Sequence, residues 1–146
     1  MAQNTAPIFP LVPVTTIVGG AAANAATPGV TANNTYDLTT GTSFLTFTSN
    51  ATNGSRLDFI KVRALGTNVQ TVMRVFINNG STTATAANNA LYLERTLFAT
   101  SASASSETPD IVVSMNISLS PGYRVYATFG TAVAAGFHLT AVGGDY

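Results

Sequence analysis

From Gly41 onward, short alternating runs of apolar residues return about every ten positions, each closed by Gly, Pro, Asn or Ser. That rhythm suits brief strands with tight connections and leaves no window with the 3.6-residue apolar period of a helix. "SFLTFTS" comes first and ends in the turn "NATNGS". In "RLDFIKVRAL", Ile60, Val62 and Ala64 alternate with Phe59, Lys61 and Arg63, the first set pointing in and the charged set out. "VQTVMRVFIN" puts Val69, Met73, Val75 and Ile77 on one face and Arg74 on the other, and stops at Asn78-Asn79-Gly80. "ALYLERTLFA" sets Leu91, Leu93 and Leu97 against Tyr92, Glu94, Thr96 and Phe98, and "DIVVSMNIS" aligns Ile111, Val113, Met115 and Ile117. Pro121-Gly122 turns the chain into "YRVYATF", with Tyr123, Val125, Ala127 and Phe129 on one side, and "GFHLTAV" closes the series. These runs predict seven antiparallel strands, or eight if the N-terminal segment adds one. The expected fold is all-β, an antiparallel β-sandwich, and eight strands favour a jelly roll.

Residues 1–40 read differently. They hold a single charge, Asp37, and four prolines among small residues. "IFPLVPVTTIV" suits an extended arm and the Gly/Ala/Asn/Thr stretch after it a linker, so the chain divides into an arm with linker over 1–40 and a sandwich over 41–146. The arm is apolar at Ile8, Phe9, Leu11, Val12, Val14, Ile17 and Val18. Burying those side chains does not by itself offset the entropy of fixing the backbone. The arm is therefore ordered only if its backbone also pairs, as an edge strand on its own domain or on a neighbouring subunit. The expectation is a contact between subunits.

Composition removes several function classes. Charged residues are 8% of the 146, against about 25% in an average soluble protein, and the formal net charge is zero. Such a chain has no pull towards nucleic acid or an anionic membrane. The apolar stretch "APIFPLVPVTTIVGG" is broken by Pro7, Pro10 and Pro13 and is too short to span a bilayer. No Lys or Arg precedes Arg56, so the positive start of a secretory signal is missing despite the small-residue run "AAANAA". Cysteine is absent, which excludes disulfides and thiol chemistry and fits assembly in a reducing cytoplasm.

Catalysis needs convergent groups, and the sequence offers few. His138 is the one histidine, flanked by Phe137 and Leu139, and reads as an outward imidazole on the last strand. No nucleophile turn of the G-x-S-x-G kind accompanies it. The acids Asp37, Asp58, Glu94, Glu107, Asp110 and Asp145 are scattered singly, which suits neither zinc nor calcium. The expectation is a protein without catalytic residues, cofactor or metal. Arg56, Lys61, Arg63, Arg74 and Arg95 lie among Asp58 and Glu94 on similar strand faces and read as a ladder of cross-strand pairs on the solvated side.

The segment "NNGSTTATAANN" between two strand patterns has neither charge nor ring. It lacks the Tyr, Trp and Arg anchors that carry recognition energy, so it is expected to pack at a subunit junction or cap one end of the sandwich. Left bare it would be floppy, and Asn78, Asn79, Asn88 and Asn89 are its candidate contact residues.

With "RVFINNGS", "AANNALYLERTL", "LSPGYRVYATFGTAVAAGF" and the closing "AVGGDY" in view, residues 55–146 resemble a group of small jelly-roll proteins encoded by tailed bacteriophages and prophages. Proteins of that kind look like capsid decoration, or cement, proteins. The resemblance implies a non-enzymatic structural virion protein, assembled in the bacterial cytoplasm and seated on the outer surface of the head. It implies the major capsid protein and the chain's own copies, as a homotrimer, for partners. A tail, baseplate or fibre module is an alternative in the same class. A glycan-binding module is an alternative from another, with Tyr92, Tyr126 or Tyr146 as the sugar platform.

Overall fold

The computed structural model describes residues 9–19 and 27–146. Eight strands make up the fold: β1 (Val12–Val18), β2 (Phe44–Thr48), β3 (Ser55–Ala64), β4 (Thr71–Asn78), β5 (Asn89–Leu97), β6 (Asp110–Leu119), β7 (Arg124–Phe129) and β8 (Phe137–Asp145). The helical content among the described residues is a single 3-10 turn, Ala86–Asn88.

The strands form two four-stranded sheets, ordered β1-β8-β3-β6 and β2-β7-β4-β5, with every pairing antiparallel. First pairs with last, second with seventh, third with sixth and fourth with fifth. That is one long hairpin rolled into a sandwich, the jelly roll. The arm supplies the eighth strand. Of the two partners open to it, the structure has the one inside the chain: β1 lies along β8, from Val12 opposite Asp145 to Val18 opposite Leu139.

Alternation decides what fills the space between the sheets. Ile60 and Val62 from β3, Met73 and Val75 from β4, Val113 and Met115 from β6, and Val125, Ala127 and Phe129 from β7 form one buried cluster. Phe129 stacks on Phe137 at 5.3 Å between ring centroids and meets Phe44 edge-on at 6.0 Å. Two positions depart from the sequence reading. Val69 lies ahead of β4 and is exposed. Leu91 is exposed because the β4–β5 ladder slips between Val75 and Phe76, which sets Leu91 opposite Phe76 on the outer face.

The outer face of the second sheet is not solvated as its pattern implies. Phe76 stands there beside Arg74, yet both are buried. The segment over residues 33–42 crosses this face. Asn33 donates its backbone N–H to Phe129 O and its side-chain amide to Thr40 O and Thr42 O. Leu38, on this segment, is buried outside the main cluster, and at φ 63° it takes a backbone conformation rare for a bulky residue. The stretch expected to be a linker thus forms a second, small apolar layer.

The connections collect at two ends. Those after β2, β4 and β6 meet at one, where the N–H groups of Gly54 and Gly122 both donate to Asn50 O. Those after β1, β3, β5 and β7 meet at the other around Asn68, which is buried. Its amide donates to Gly136 O, and its Oδ1 accepts from the N–H groups of Ala135 and Gly136.

Candidate functional site

The arm residues divide, though not by parity alone, since Val12 shares the row of Val14 and Val18 and is still exposed. Val14 and Val18 point inward and pack against the core cluster. Ile17 faces out, and with Phe9, Leu11 and Val12 it stands in water: their exposures are 68% for Ile17, 68% for Phe9, 82% for Leu11 and 57% for Val12. Ile8 lies outside the described residues. Pairing with β8 thus uses one row of the arm and leaves the rest of its apolar surface bare, at the outer edge of the first sheet.

The asparagine loop is stapled rather than floppy. Asn78 Nδ2 donates to Asn89 Oδ1 at 2.7 Å, and one rung further out Asn79 Nδ2 donates to Asn88 Oδ1 at 3.1 Å. Asn88 Nδ2 reaches Thr82 O, and Asn89 Nδ2 lies within bonding distance of Asp37 O, Thr83 O and Thr85 O. Asn78 Oδ1 and Asn79 Oδ1 in turn accept from the N–H groups of Gly80 and Ser81. An amide can donate and accept together, so stacked asparagines replace the missing apolar anchors. Gly80 has φ 89°, and a Cβ there would meet Gly122 O at 2.6 Å, so only glycine lets the loop pass the β6–β7 turn. A shallow depression of about 260 Å³ lies beside the loop, against Ile77 and Tyr123.

The charged residues mostly form pairs. Lys61 and Arg63 flank Asp110 on the outer face of the first sheet, at 2.7 and 3.2 Å. The hydrogen bond from Lys61 holds the Asp110 carboxyl below the usual carboxylate range. Arg74 is different in kind. Its Nε bonds Glu94 at 2.8 Å, its Nη1 bonds Asn33 O at 3.2 Å, its Nη2 bonds Tyr36 Oη at 2.9 Å, and the guanidinium lies 4.1 Å over the Tyr36 ring. The residue read as solvated instead clamps the covering segment to the sheet. Arg95, on the inward side of β5 opposite Met73, is exposed. His138 sits half-buried on the outer face, opposite Arg63.

Where β3 begins, the first sheet is irregular. Between the same rungs β3 carries one residue more than β8, and β6 one more than β3. Asp58 is the extra residue on β3, and Asn116, at φ 49°, lies in the bulge of β6. Gly143 of β8 passes so close to Arg56 O that no Cβ would fit. The bulges gather polar groups around Arg56: Nε bonds Asp58 at 2.7 Å and Nη2 reaches Asn116 Oδ1 at 3.4 Å. An open cleft of about 630 Å³ lies alongside, lined by Asn53, Arg56, Ser118 and Tyr146. Of these groups the sequence singled out only Arg56, Asp58 and Tyr146, because nothing in "MNIS" announces a left-handed residue inside a strand.

Among the described residues no three of His, Asp and Glu gather as a metal site, and no helix is long and apolar enough to cross a membrane. Compared with protein-family models, curated proteins and solved structures, the chain finds no match.

Proposed function

We propose that this chain is a non-enzymatic structural protein of a phage virion, a decoration protein that binds the outer surface of the head shell as trimers and bridges neighbouring capsomers. The observation that carries the reading is β1. It closes one edge of a sheet, bears no charge, and with the residues just before it leaves four large apolar side chains in water. A sheet edge with bare apolar side chains beside it is a surface for another polypeptide. The low charge of the whole chain suits broad packing between repeated copies, where many weak contacts add through symmetry. The resemblance in residues 55–146 supplies the partner, the major capsid protein. The stapled asparagine loop, rigid and neutral, is a second surface suited to lying against a neighbour.

The test is stoichiometry in purified particles, by quantitative mass spectrometry against the major shell protein. The expected result is a copy number comparable with that of the shell subunit. A few copies per particle would move the chain to the tail or a single vertex, and absence from particles would remove the virion reading altogether.

A further inference from the structure

We propose that the cleft beside Tyr146 is a binding site for a neutral oligosaccharide, a role separate from shell binding. At about 630 Å³ its volume is within the range of small-ligand sites. Its aromatic wall is fixed at both ends. Tyr146 shares a hydrogen bond of 2.7 Å between its hydroxyl and Ser118 Oγ, and its backbone N–H donates to Gly54 O at 3.2 Å. A ring held this way offers a flat apolar face at little entropic cost, which the C–H face of a pyranose can cover.

The ring shares the cleft lining with planar polar groups that are not used up. Asp58 and Asn116 hold Arg56 through Nε and Nη2, while its Nη1 has no partner among the described residues. The turn carrying Asn53 is set by Asn50, whose Oδ1 accepts from the N–H groups of Thr52 and Asn53. The Asn53 side-chain amide itself bonds nothing among the described residues. A guanidinium presents donors, and an amide both a donor and an acceptor, at the spacing of neighbouring sugar hydroxyls. Arg56 is already neutralised by Asp58, and that carboxylate would repel an acidic sugar, so the site favours an uncharged one.

The backbone supports the same reading. Two successive bulges, one on the inner strand β3 and one at a left-handed Asn116 on the edge strand β6, are features of a kind found next to functional sites, where they re-aim side chains. Here they aim an amide and a carboxylate at one guanidinium. The cleft also lies two strands in from β1, on the face of the sheet, so edge-on docking through β1 leaves it open. One copy would bind weakly; a trimer, or a shell carrying many copies, would gain by avidity.

The experiment uses the full chain, biotinylated and tetramerised on fluorescent streptavidin, applied to an array of neutral and acidic oligosaccharides. The expected result is binding to neutral glycans that falls about tenfold or more in both Tyr146→Ala and Asn53→Ala, and is unchanged in Tyr92→Ala. Asn53→Ala guards against a folding artefact, because that side chain supports nothing in the fold, and melting curves check every variant. No neutral glycan bound, hits confined to acidic glycans, or binding that survives both cleft substitutions would each overturn the proposal. None of these outcomes bears on copy number in particles, so the two readings stand or fall separately.

Discussion

Strands β1 and β5 each close one edge of a sheet, and they do it with opposite chemistry. β5 carries Glu94 and Arg95 in successive positions. Glu94 is tied to Arg74 across the ladder, and Arg95 places a charge on the inward side, where an added strand would have to bury it. The asparagine staple at its start and the covering segment over its sheet make that edge a finished surface. β1 has Pro13 as its one blunting device and otherwise bare Val12 and Ile17, with bare Leu11 just before it. The same fold holds one edge guarded against association and one left available. A chain that needed only to be soluble would guard both.

Removing β1 altogether should have the largest effect. Deleting residues 2–18 uncovers the edge of β8 and strips Val14 and Val18 from the core, a loss on the order of 5 kcal/mol in urea unfolding. It should also abolish self-association in sedimentation; an assembly unchanged by the deletion would refute the role given to that edge. Next comes the clamp behind β5. Arg74→Ala leaves Asn33 O and Tyr36 Oη without their donor and removes a buried stem, and should cost about 2–4 kcal/mol, with Arg74→Met, which keeps the stem, milder. Equal losses from the two variants would mean that the polar clamp alone, with nothing from stem packing, holds the covering segment.

The paired substitutions Leu11→Lys and Ile17→Lys sharpen the comparison from the other side, by giving β1 the charges that β5 has. Both side chains are in water, so stability should stay within about 0.5 kcal/mol per site. Association with shells or other copies should be lost, and retention of it would mean the bare apolar row is unused. The smallest effect belongs to Asp110 on β6, the opposite edge of the first sheet. Its carboxyl titrates below the usual range in the folded chain, so its contribution is present above the unfolded value and fades as pH falls through the lowered one. Asp110→Asn should lower the melting temperature slightly at neutral pH and not at all in strong acid, where both forms carry a neutral side chain. Water screens this pair on the open face of the sheet, so its loss should be far milder than that of the buried Arg74 clamp.

The strands were legible in sequence because a period of two is a local signal. Ile60, Val62, Met73, Val75, Val113 and Phe129 all fall on the inward faces their neighbours imply. What the pattern could not carry is any feature made by segments far apart in the chain. Phe76 has the alternation of a solvated residue, yet it is fully buried on a face that residues 33–42 cross. Arg74 carries the same false signal, since Asn33 and Tyr36 lie about forty positions away. The ladder slip at Val75 that turns Leu91 outward leaves no mark in composition. The loop did leave a mark, the mirrored Asn-Asn pairs at its two ends, but their pairing follows only once the hairpin sets Asn78 opposite Asn89. The cleft at Arg56 depends on two bulges, and a residue count per rung is a property of the assembled sheet.

The rolled-hairpin topology sets an order of events for a chain being made on a ribosome. β1 is made before the seven other described strands, and the rung partner of Val12, Asp145, follows it by 133 residues. At ordinary translation speeds that interval is on the order of ten seconds, far longer than a strand needs to find a partner once one exists. Throughout it, the stickiest strand of the molecule has no place of its own to go. Neighbouring nascent chains on the same message are in the same condition, and a slightly older copy has just completed a β8. The first groove a new β1 meets can therefore belong to another molecule, before its own β8 has been made.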